Sequence, residues 1–395
     1  MQLETFHWLL THEGQQLLER ATHAYVDANG DAMRAITRLR KECSTTEDRS
    51  AAAMTQVGLR AKAVDKFGAD AVRMYFTPDG LEQATRQRVA EHRAARLATA
   101  EVATVIDLTC GIGGDLIALS RAGLTSAGVD LDAVRVAIAQ ANLDALGLAG
   151  AVQQADATHL NVAGFGAAFV DPARRSGRGR VFDADNWAPA WPFVEHLLTG
   201  RAVAKVAPGI PHSLIPEGVE AEWVSERGEV KEAALWSPNL ATARRRATVI
   251  AARGLATLTE DDDPYAGAPR PVRALGRCIY EPDGAVIRAG LVTAVAAGVG
   301  GGLLDSHIAY VTSDEPFRSP FASSYEVLET LPYREKQLKA ALKKRGIGRL
   351  TIKKRGVDIA PEQLRKRLDL AGENEGTIIL TRVAGVGTAV LVRPF

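Results

Sequence analysis

The sequence predicts an α/β protein with a doubly wound parallel sheet, an N-terminal helical unit and a C-terminal α+β domain. Apolar positions recur at helical spacing, without proline, from His7 to Ala35. From Val102 onward, apolar runs rich in β-branched residues alternate with glycine loops and helical stretches, as expected of parallel strands buried on both faces. After Arg273 the chain mixes short strands with amphipathic helices.

The expected elements follow in chain order. A polar break at Cys43–Ser50 precedes a second helix, and Thr77 before Pro78 forms an N-cap and N1 pair that predicts a third. Strands are expected at VATVIDL, TSAGVDLD, GAAFVDP, AVAKVAP, a hairpin-like EWVSE/VKEAALW pair and ATVIAAR. Later strands are expected at RCIYEP, TIILTRV and TAVLVRP, and helices at SSYEVLE, REKQLKAALKKRG and PEQLRKRL.

Length and composition set the expected domain boundaries. A chain of 395 residues is too long for one small domain. The stretch DDDPYAGAPRPVR, rich in acids, proline and glycine, is typical of a linker. We therefore expect a helical unit over residues 1–97, a sheet domain over 98–260, a linker over 261–273 and a basic α+β domain over 274–395.

Several classes of protein do not fit the sequence. Cys43, Cys110 and Cys278 lie far apart without CxxC or Cys/His spacing, so we expect no disulfide framework, no metal site and a cytoplasmic location. The N-terminal residues lack the basic and apolar regions of a signal peptide. The apolar stretch 289–304 has five glycines and is shorter than the about 20 residues of a spanning helix, so we expect a packed helix ending in a glycine turn and no membrane contact.

The strongest motif is VIDLTCGIGGDLIALS, between the first expected strand and its helix. Gly111, Gly113 and Gly114 allow a tight turn and close approach of a ligand, and the following helix offers free N–H groups. Leu116 stands where the dinucleotide fingerprint G-x-G-x-x-G has its third glycine, and no Gly-Lys-Ser/Thr follows, which excludes a P-loop.

Three acids at successive strand ends indicate the ligand. Asp107 is unsuited to a pyrophosphate and suits a cationic group, such as the amino-acid end of S-adenosylmethionine. Asp130, at the next strand end, can accept hydrogen bonds from both ribose hydroxyls, and Asp156 follows a third strand where adenine would lie. The loop and the acids together predict binding of S-adenosylmethionine; the alternative is a bare helix–strand turn.

DLTCGIGGD, AGVDLD, AQANLDALGL and ADAT resemble the class I methyltransferases, with their Rossmann-like sheet, and within them the trimethylguanosine-synthase-like RNA guanine-N2 methyltransferases. The likeness covers residues 70–180, and FTPDGLEQATRQRVAEH extends it upstream of the glycine loop. It implies cofactor contacts from Phe76, Thr77, Asp107, Thr109, Gly111, Gly113, Gly114, Asp130, Leu131, Asp156 and Ala157.

The resemblance also implies a reaction centre. Amino-group methyltransferases carry Asp/Asn/Ser-Pro-Pro-aromatic after the fourth strand, where an oxygen holds the acceptor nitrogen toward the methyl group. Here Asp171 and Pro172 match as catalytic residues, whereas Ala173 and Arg174 replace the second proline and the aromatic. Either Arg174 stacks on a base or binds phosphate, or the target atom is a ring nitrogen or carbon. Methylation of a ring carbon through a cysteine nucleophile is not expected, because no cysteine lies between Cys110 and Cys278.

The C-terminal third of the chain points to RNA. RCIYEPDGAVIRAG and SDEPF resemble the THUMP-like domain that follows such methyltransferases in bacteria, and THUMP domains bind RNA, commonly tRNA. Residues 331–368 hold thirteen Lys or Arg against three acids, a net charge of +10 in a chain whose total is +1, although a solvated helix face remains the alternative. The candidate substrate contacts are Arg174, Arg175, Lys343, Lys344, Arg345, Lys353, Lys354 and Arg355.

The sequence therefore predicts an S-adenosylmethionine-dependent methyltransferase that acts on RNA (tRNA or rRNA), on a base nitrogen such as guanine N2. One alternative is a small-molecule methyltransferase whose C-terminal domain is a lid or dimer contact; the charge of residues 331–368 disfavours it. The other is a protein that binds the cofactor and RNA without catalysis. The Ala173-Arg174 replacement favours this second alternative, and the intact acids disfavour it.

Overall fold

The structure is a computed structural model of the chain. Among the residues it describes, no helix combines the length and the apolar character needed to cross a membrane. The described residues are 1–174, 187–252, 254–265 and 272–395.

Contacts between residues divide the chain into two compact units. Unit 1 comprises Met1–Val206 and Leu235–Leu240, and unit 2 comprises Ala207–Ala234 and Ala241–Phe395. The division expected from the sequence, with boundaries at 97, 260 and 273, stays a prediction.

Unit 1 begins with helices alone, as the apolar periodicity predicts. The stretch from His7 to Ala35 is not continuous, because two side chains start new helices within it. Thr11 accepts a hydrogen bond from the Gly14 N–H, and Asp31 accepts bonds from the N–H groups of the next helix. The helices are α1 Leu3–Leu10, α2 His12–Asp27, α3 Ala32–Glu42, α4 Glu47–Phe67, α5 Pro78–Gln83 and α6 Gln87–Thr99.

The rest of unit 1 is built on a parallel sheet with the strand order β7-β4-β1-β2-β3. The order reverses between β1 and β4, which is where open α/β sheets bind ligands, at the carboxyl ends of the strands. The elements are β1 Thr104–Asp107, α7 Gly114–Arg121, β2 Thr125–Asp130, α8 Ala133–Leu146, β3 Ala151–Gln154, β4 Ala167–Val170, the short antiparallel pair β5 Ala173–Arg174 and β6 Trp187–Ala188, α9 Trp191–Leu198 and β7 Ala202–Val206.

Unit 2 contains strands with the order β11-β10-β8 and a separate sheet with the order β13-β14-β12-β15-β18-β17-β16. β10 pairs parallel with β8 and antiparallel with β11, and β9 has residues in both units. The elements are β8 Glu220–Glu226, β9 Glu229–Trp236, β10 Arg245–Ala251, β11 Gly254–Thr259, β12 Cys278–Pro282, α10 Gly284–Ala289, α11 Val292–Gly298, β13 Gly302–Asp305, β14 Ile308–Ser313, β15 Ala322–Leu331, α12 Glu335–Lys344, β16 Ile347–Lys354, α13 Pro361–Leu368, β17 Asn374–Val383 and β18 Val386–Pro394.

One expected helix in unit 2 is wrong. SSYEVLE lies inside the strand β15, which pairs antiparallel with both β12 and β18. A register shift between Val327 and Glu329 breaks the two-residue alternation, so the strand lacks its usual sequence signature. Tyr325 is buried in this sheet opposite Ile279, and such pairing outweighs a weak local preference for helix.

Candidate active site

The glycine loop joins β1 to α7, as the sequence predicts. Gly111 and Gly113 have φ values of 54° and 85°, a left-handed conformation that side chains rarely adopt. A Cβ atom on Gly113 would lie 3.2 Å from Ala139 of α8. The two glycines therefore allow the tight turn and the close packing of the loop against α8.

Asp130 ends β2 and holds this loop. Its Oδ2 accepts a hydrogen bond from the Gly111 N–H at 3.1 Å, and its Oδ1 accepts one from the Asp132 N–H at 2.9 Å. The carboxylate also lines a cavity in front of the loop. Asp130 is thus placed to fix the loop and to face a ligand.

Asp107 ends β1 and is buried beside the start of the glycine loop. It is 1% exposed, and its Oδ1 accepts a hydrogen bond from the Thr109 N–H at 3.0 Å. Burial, followed by the neighbouring Asp115 carboxylate, holds the pKa of Asp107 well above its usual value. Asp115 forms an ion pair with Arg93, whose guanidinium lies 4.4 Å from the centre of the Phe169 ring.

The cavity has a volume of about 800 Å³ and lies at the carboxyl ends of β1, β2 and β4. It brings together nine of the predicted site residues. Of the other described candidates in unit 1, Phe76, Thr77, Asp107 and Gly113 do not line it. The nine are Thr109, Gly111, Gly114, Asp130, Leu131, Asp156, Ala157, Asp171 and Pro172.

Phe76 and Thr77 shape the cavity from outside it. The fully buried Gln56 clamps Phe76: its amide donates to the Phe76 carbonyl at 2.7 Å and accepts from the Phe76 N–H at 2.9 Å. Thr77 caps α5 by accepting a hydrogen bond from the Gly80 N–H at 3.0 Å, which confirms the expected N-cap. Gly80 then lines the cavity. Direct contact of Phe76 and Thr77 with the cofactor stays a prediction.

Asp156 follows β3 and keeps its carboxylate partly exposed at the cavity wall. Its Oδ1 accepts hydrogen bonds from the Thr158 hydroxyl at 2.7 Å and the Thr158 N–H at 2.9 Å. These bonds lower the pKa of Asp156, the hydroxyl first and the backbone N–H second. The side chain is therefore an acceptor at neutral pH.

Asp171 follows β4 and forms an ion pair that the sequence did not reveal. Its N–H donates to the Thr109 hydroxyl at 2.7 Å, which ties the end of β4 to the glycine loop. Its Oδ2 pairs with the Lys205 ammonium of β7, and Lys205 also donates to the Thr85 hydroxyl at 3.2 Å. The sequence signal that could have indicated Lys205 is a lysine within the apolar run AVAKV.

The Arg174 side chain and Arg175, both predicted to contact the substrate, lie outside the described residues.

The family of this chain is shown by its sequence similarity to known proteins. S-adenosylmethionine-dependent methyltransferases of two Mycobacterium tuberculosis strains, CDC 1551 / Oshkosh and ATCC 25618 / H37Rv, are each 38% identical to it over 353 residues. The alignments cover 85% of this chain and 95% of each relative, and both relatives carry the word "uncharacterized" in their names. The chain belongs to the S-adenosylmethionine-dependent methyltransferases.

The fold of the methyltransferase is also that of a solved structure. A crystal structure from Porphyromonas gingivalis W83, assigned provisionally as a methyltransferase, has a TM-score of 0.75 and 23% identity to this chain. The match covers 96% of this chain and 98% of that one. The Rossmann-like methyltransferase fold expected from the sequence is confirmed.

Two domain families match parts of the methyltransferase. The family described as "THUMP domain-like" matches residues 322–394, and a domain family of unknown function matches residues 2–63. The C-terminal resemblance is therefore confirmed. The motifs RCIYEPDGAVIRAG (277–290) and SDEPF (313–317) lie on the N-terminal side of the matched range.

The methyltransferase uses S-adenosylmethionine, and the cavity fits this cofactor. Gly111 and Gly113 leave room for close approach of a ligand to the backbone. Asp130 offers carboxylate acceptors of the kind that a ribose diol requires, and Leu131, 66% exposed beside it, offers an apolar surface of the kind that a base requires. The assignment of each residue to a part of the cofactor stays a prediction.

The basic residues of unit 2 differ in their surroundings. Arg345 pairs with Glu329, and Lys353 pairs with Glu281 at 2.6 Å; Arg355 lies 3.9 Å from the same Glu281 carboxylate. Of the predicted substrate contacts that the structure describes in unit 2, Lys343, Lys344 and Lys354 are exposed and form no such ion pair. These three lysines are the strongest candidates for binding an external anion.

Proposed function

We propose that this methyltransferase modifies RNA, tRNA or rRNA, on a base nitrogen such as guanine N2. The observation that carries the proposal is the set of exposed lysines 343, 344 and 354 within the region that matches the THUMP domain-like family. Leu338 and Leu342 of α12 and Leu364 and Leu368 of α13 pack into the core under this region, so the charged faces of both helices point outward. An outward cationic surface attracts the phosphates of a nucleic acid.

The proposed chemistry uses positioning at Asp171. When bound, S-adenosylmethionine supplies an electrophilic methyl group on its sulfonium. Asp171 can accept a hydrogen bond from an N–H group of the base and so turn that nitrogen toward the methyl group. Because Asp171 lies in the wall of a cavity, the target base has to leave its stack for its edge to reach the carboxylate.

A small-molecule acceptor is the second candidate. It is favoured by the carboxylates of Glu281 and Glu329, which already neutralise part of the basic segment. On this alternative the lysines of unit 2 have no role in turnover, and the cavity alone selects the acceptor.

The deciding experiment supplies radiolabelled S-adenosylmethionine to the full-length enzyme with total RNA from a strain that lacks the gene. A parallel reaction contains the small-molecule extract of the same cells. We expect label in RNA, in a nucleoside that mass spectrometry identifies after ribonuclease and phosphatase digestion. Label confined to the small-molecule extract would contradict the RNA proposal and support the alternative.

A further inference from the structure

The reacting end of the cavity holds a cation as well as a carboxylate. Lys205 and Asp171 both line it, and their side chains are 15% and 32% exposed. The Thr85 hydroxyl accepts a hydrogen bond from the same ammonium, so residues from three segments of unit 1 meet there. Asp171 is the position at which the family motif places the acceptor group, and Lys205 is in direct contact with it.

Stability does not explain this ion pair. Removing two charges from water costs about as much as their attraction returns, so a well-packed apolar pair is often as stable. A lysine within the otherwise buried strand β7 therefore needs another reason. Charged pairs in a cleft commonly belong to the chemistry of that cleft.

The positive charge of Lys205 has opposite effects on the reactivity of two classes of acceptor nitrogen. An exocyclic amine that attacks a methyl group gains positive charge, and a nearby ammonium opposes that gain. A ring nitrogen beside a carbonyl reacts after it loses its proton, and the resulting anion is stabilised by a nearby ammonium. The presence of Lys205 beside Asp171 thus favours the second class.

We propose that Lys205 and Asp171 act together on a lactam edge, the ring N–H and adjacent carbonyl of guanine or uracil. This inference rests on the proposed RNA methyltransferase function, and within the base nitrogens proposed there it selects a ring nitrogen in place of the exocyclic guanine N2. Lys205 is the catalytic residue that contacts the carbonyl oxygen, and Asp171 is the base that contacts the N–H. Thr85 holds the Lys205 ammonium, and Thr109 holds the backbone N–H of Asp171, through the hydrogen bonds already described.

The step balances without a further reactant. Asp171 takes the proton as the ring N–H bond breaks, and the electron pair stays on the lactam, where Lys205 stabilises the charge on oxygen. The nitrogen–carbon bond forms as the sulfur–carbon bond breaks, and sulfur keeps that electron pair. The proton then leaves Asp171 for water, and the carboxylate returns to Lys205.

The first test identifies the product. Total RNA from a strain that lacks the gene is methylated by the full-length enzyme, digested and analysed by mass spectrometry against nucleoside standards. We expect N1-methylguanosine or N3-methyluridine. N2-methylguanosine or N6-methyladenosine would overturn the lactam inference and leave the RNA proposal standing, whereas RNA without any new methyl group would overturn both.

The second test removes the ammonium. Lys205→Met keeps the length of the side chain, Lys205→Arg keeps the charge, and Lys62→Met on an exposed face of α4 is the control. We expect Lys205→Met to lower kcat about 100-fold, a typical effect of losing one stabilising group for a developing anion. Its pH profile should move to higher pH, and Lys205→Arg should recover part of kcat.

Measuring the affinity for the cofactor distinguishes a role of Lys205 toward the acceptor from a role in cofactor binding. Titration with S-adenosylhomocysteine should give the same affinity for wild type and Lys205→Met, because the inference assigns Lys205 to the acceptor. A large loss of affinity would show that Lys205 holds the cofactor instead and would overturn the inference. An unchanged kcat and pH profile in Lys205→Met would do the same.

Discussion

The side chain of Asn142 donates a hydrogen bond to the carbonyl of Ile112, 2.8 Å away in the glycine loop. The same buried amide donates to the Tyr75 carbonyl at 3.1 Å and accepts from the Tyr75 N–H at 2.6 Å. One residue of α8 therefore holds both the loop and the segment that leads into α5. The backbone that forms the cavity is fixed from behind by this amide.

Asn142→Ala should lower the free energy of unfolding by roughly 2–4 kcal/mol, because it leaves several buried backbone groups without their partner. Urea denaturation of the full-length protein measures this. Gln140→Ala is the matched control, since Gln140 lies on the same helix and its amide bonds Asp144 at the surface. Equal effects of the two substitutions would contradict the role assigned to Asn142.

Gly80→Ala should loosen the contact between α5 and the glycine loop. A Cβ atom at Gly80 would lie 2.6 Å from the Ile112 Cγ2 atom and 2.7 Å from the Thr77 hydroxyl oxygen. We expect lower stability, by about 1–3 kcal/mol as for other overpacked sites, and weaker binding of S-adenosylhomocysteine. Gly58→Ala meets no atom within 4 Å in the middle of α4 and should instead raise stability by about 0.5–1 kcal/mol. A thermal melt of both variants checks the opposite signs.

Asp130→Ala should weaken binding of S-adenosylhomocysteine by at least about tenfold, a loss of about 1.4 kcal/mol or more. The substitution removes the acceptor that faces the cavity and frees the Gly111 N–H from Asp130 at the same time. Isothermal calorimetry gives the affinity, with Asp144→Ala on the exposed side of α8 as control. Wild-type affinity in Asp130→Ala would exclude Asp130 from the cofactor site.

Asp107→Asn should change how stability depends on pH. Because the folded pKa of Asp107 is raised, the folded protein keeps a proton that the unfolded chain has lost above about pH 4. The free energy of unfolding therefore falls as pH rises from there toward the folded pKa, and Asn at this position removes that loss. We expect the stability of Asp107→Asn relative to wild type to increase as the pH rises above about 4 in urea denaturation. A stability difference that is constant with pH would contradict a raised pKa at Asp107.

Replacing Lys343, Lys344 and Lys354 together with Gln should weaken the salt dependence of RNA binding. Each neutralised phosphate on a single strand contributes about −0.7 to the slope of log K against log salt, so the triple variant should reduce the slope by about 2. Filter binding of tRNA over a salt series measures it. Lys41→Gln with Lys62→Gln, exposed on the helices of unit 1, is the control pair. Identical slopes for wild type and the triple variant would remove these lysines from the RNA surface.

The local parts of the site could be predicted from the sequence. The glycines at 111 and 113 and the acid at 130 follow strands whose apolar pattern is strong, and the structure places Gly111, Asp130 and Asp156 at one cavity. Such features depend on a few neighbouring residues, so a single sequence is enough to find them.

The contacts that organise the site could not be predicted in this way. Lys205 meets Asp171 across 34 residues, and Asn142 meets Tyr75 across 67. Asn142 lies within a mainly apolar helix, where its partner is set by the tertiary fold and not by spacing. Asp107 was expected to contact the cofactor; the structure buries its carboxyl and does not place it in the wall of the cavity, so that contact stays a prediction.

The hydrogen bonds to the backbone of Tyr75 and Phe76 determine which fragments of the chain keep their buried contacts. Gln56 of α4 and Asn142 of α8 form hydrogen bonds with consecutive residues of one segment. The helices α4 and α8 therefore share a buried hydrogen-bond network. A fragment that starts at residue 98 would lose Gln56 and Tyr75 and leave the Asn142 amide without those partners. Helix α4 is thus an internal part of the fold that carries the cavity: it cannot be removed, exchanged for that of a relative or expressed apart from α8 without the loss of that network.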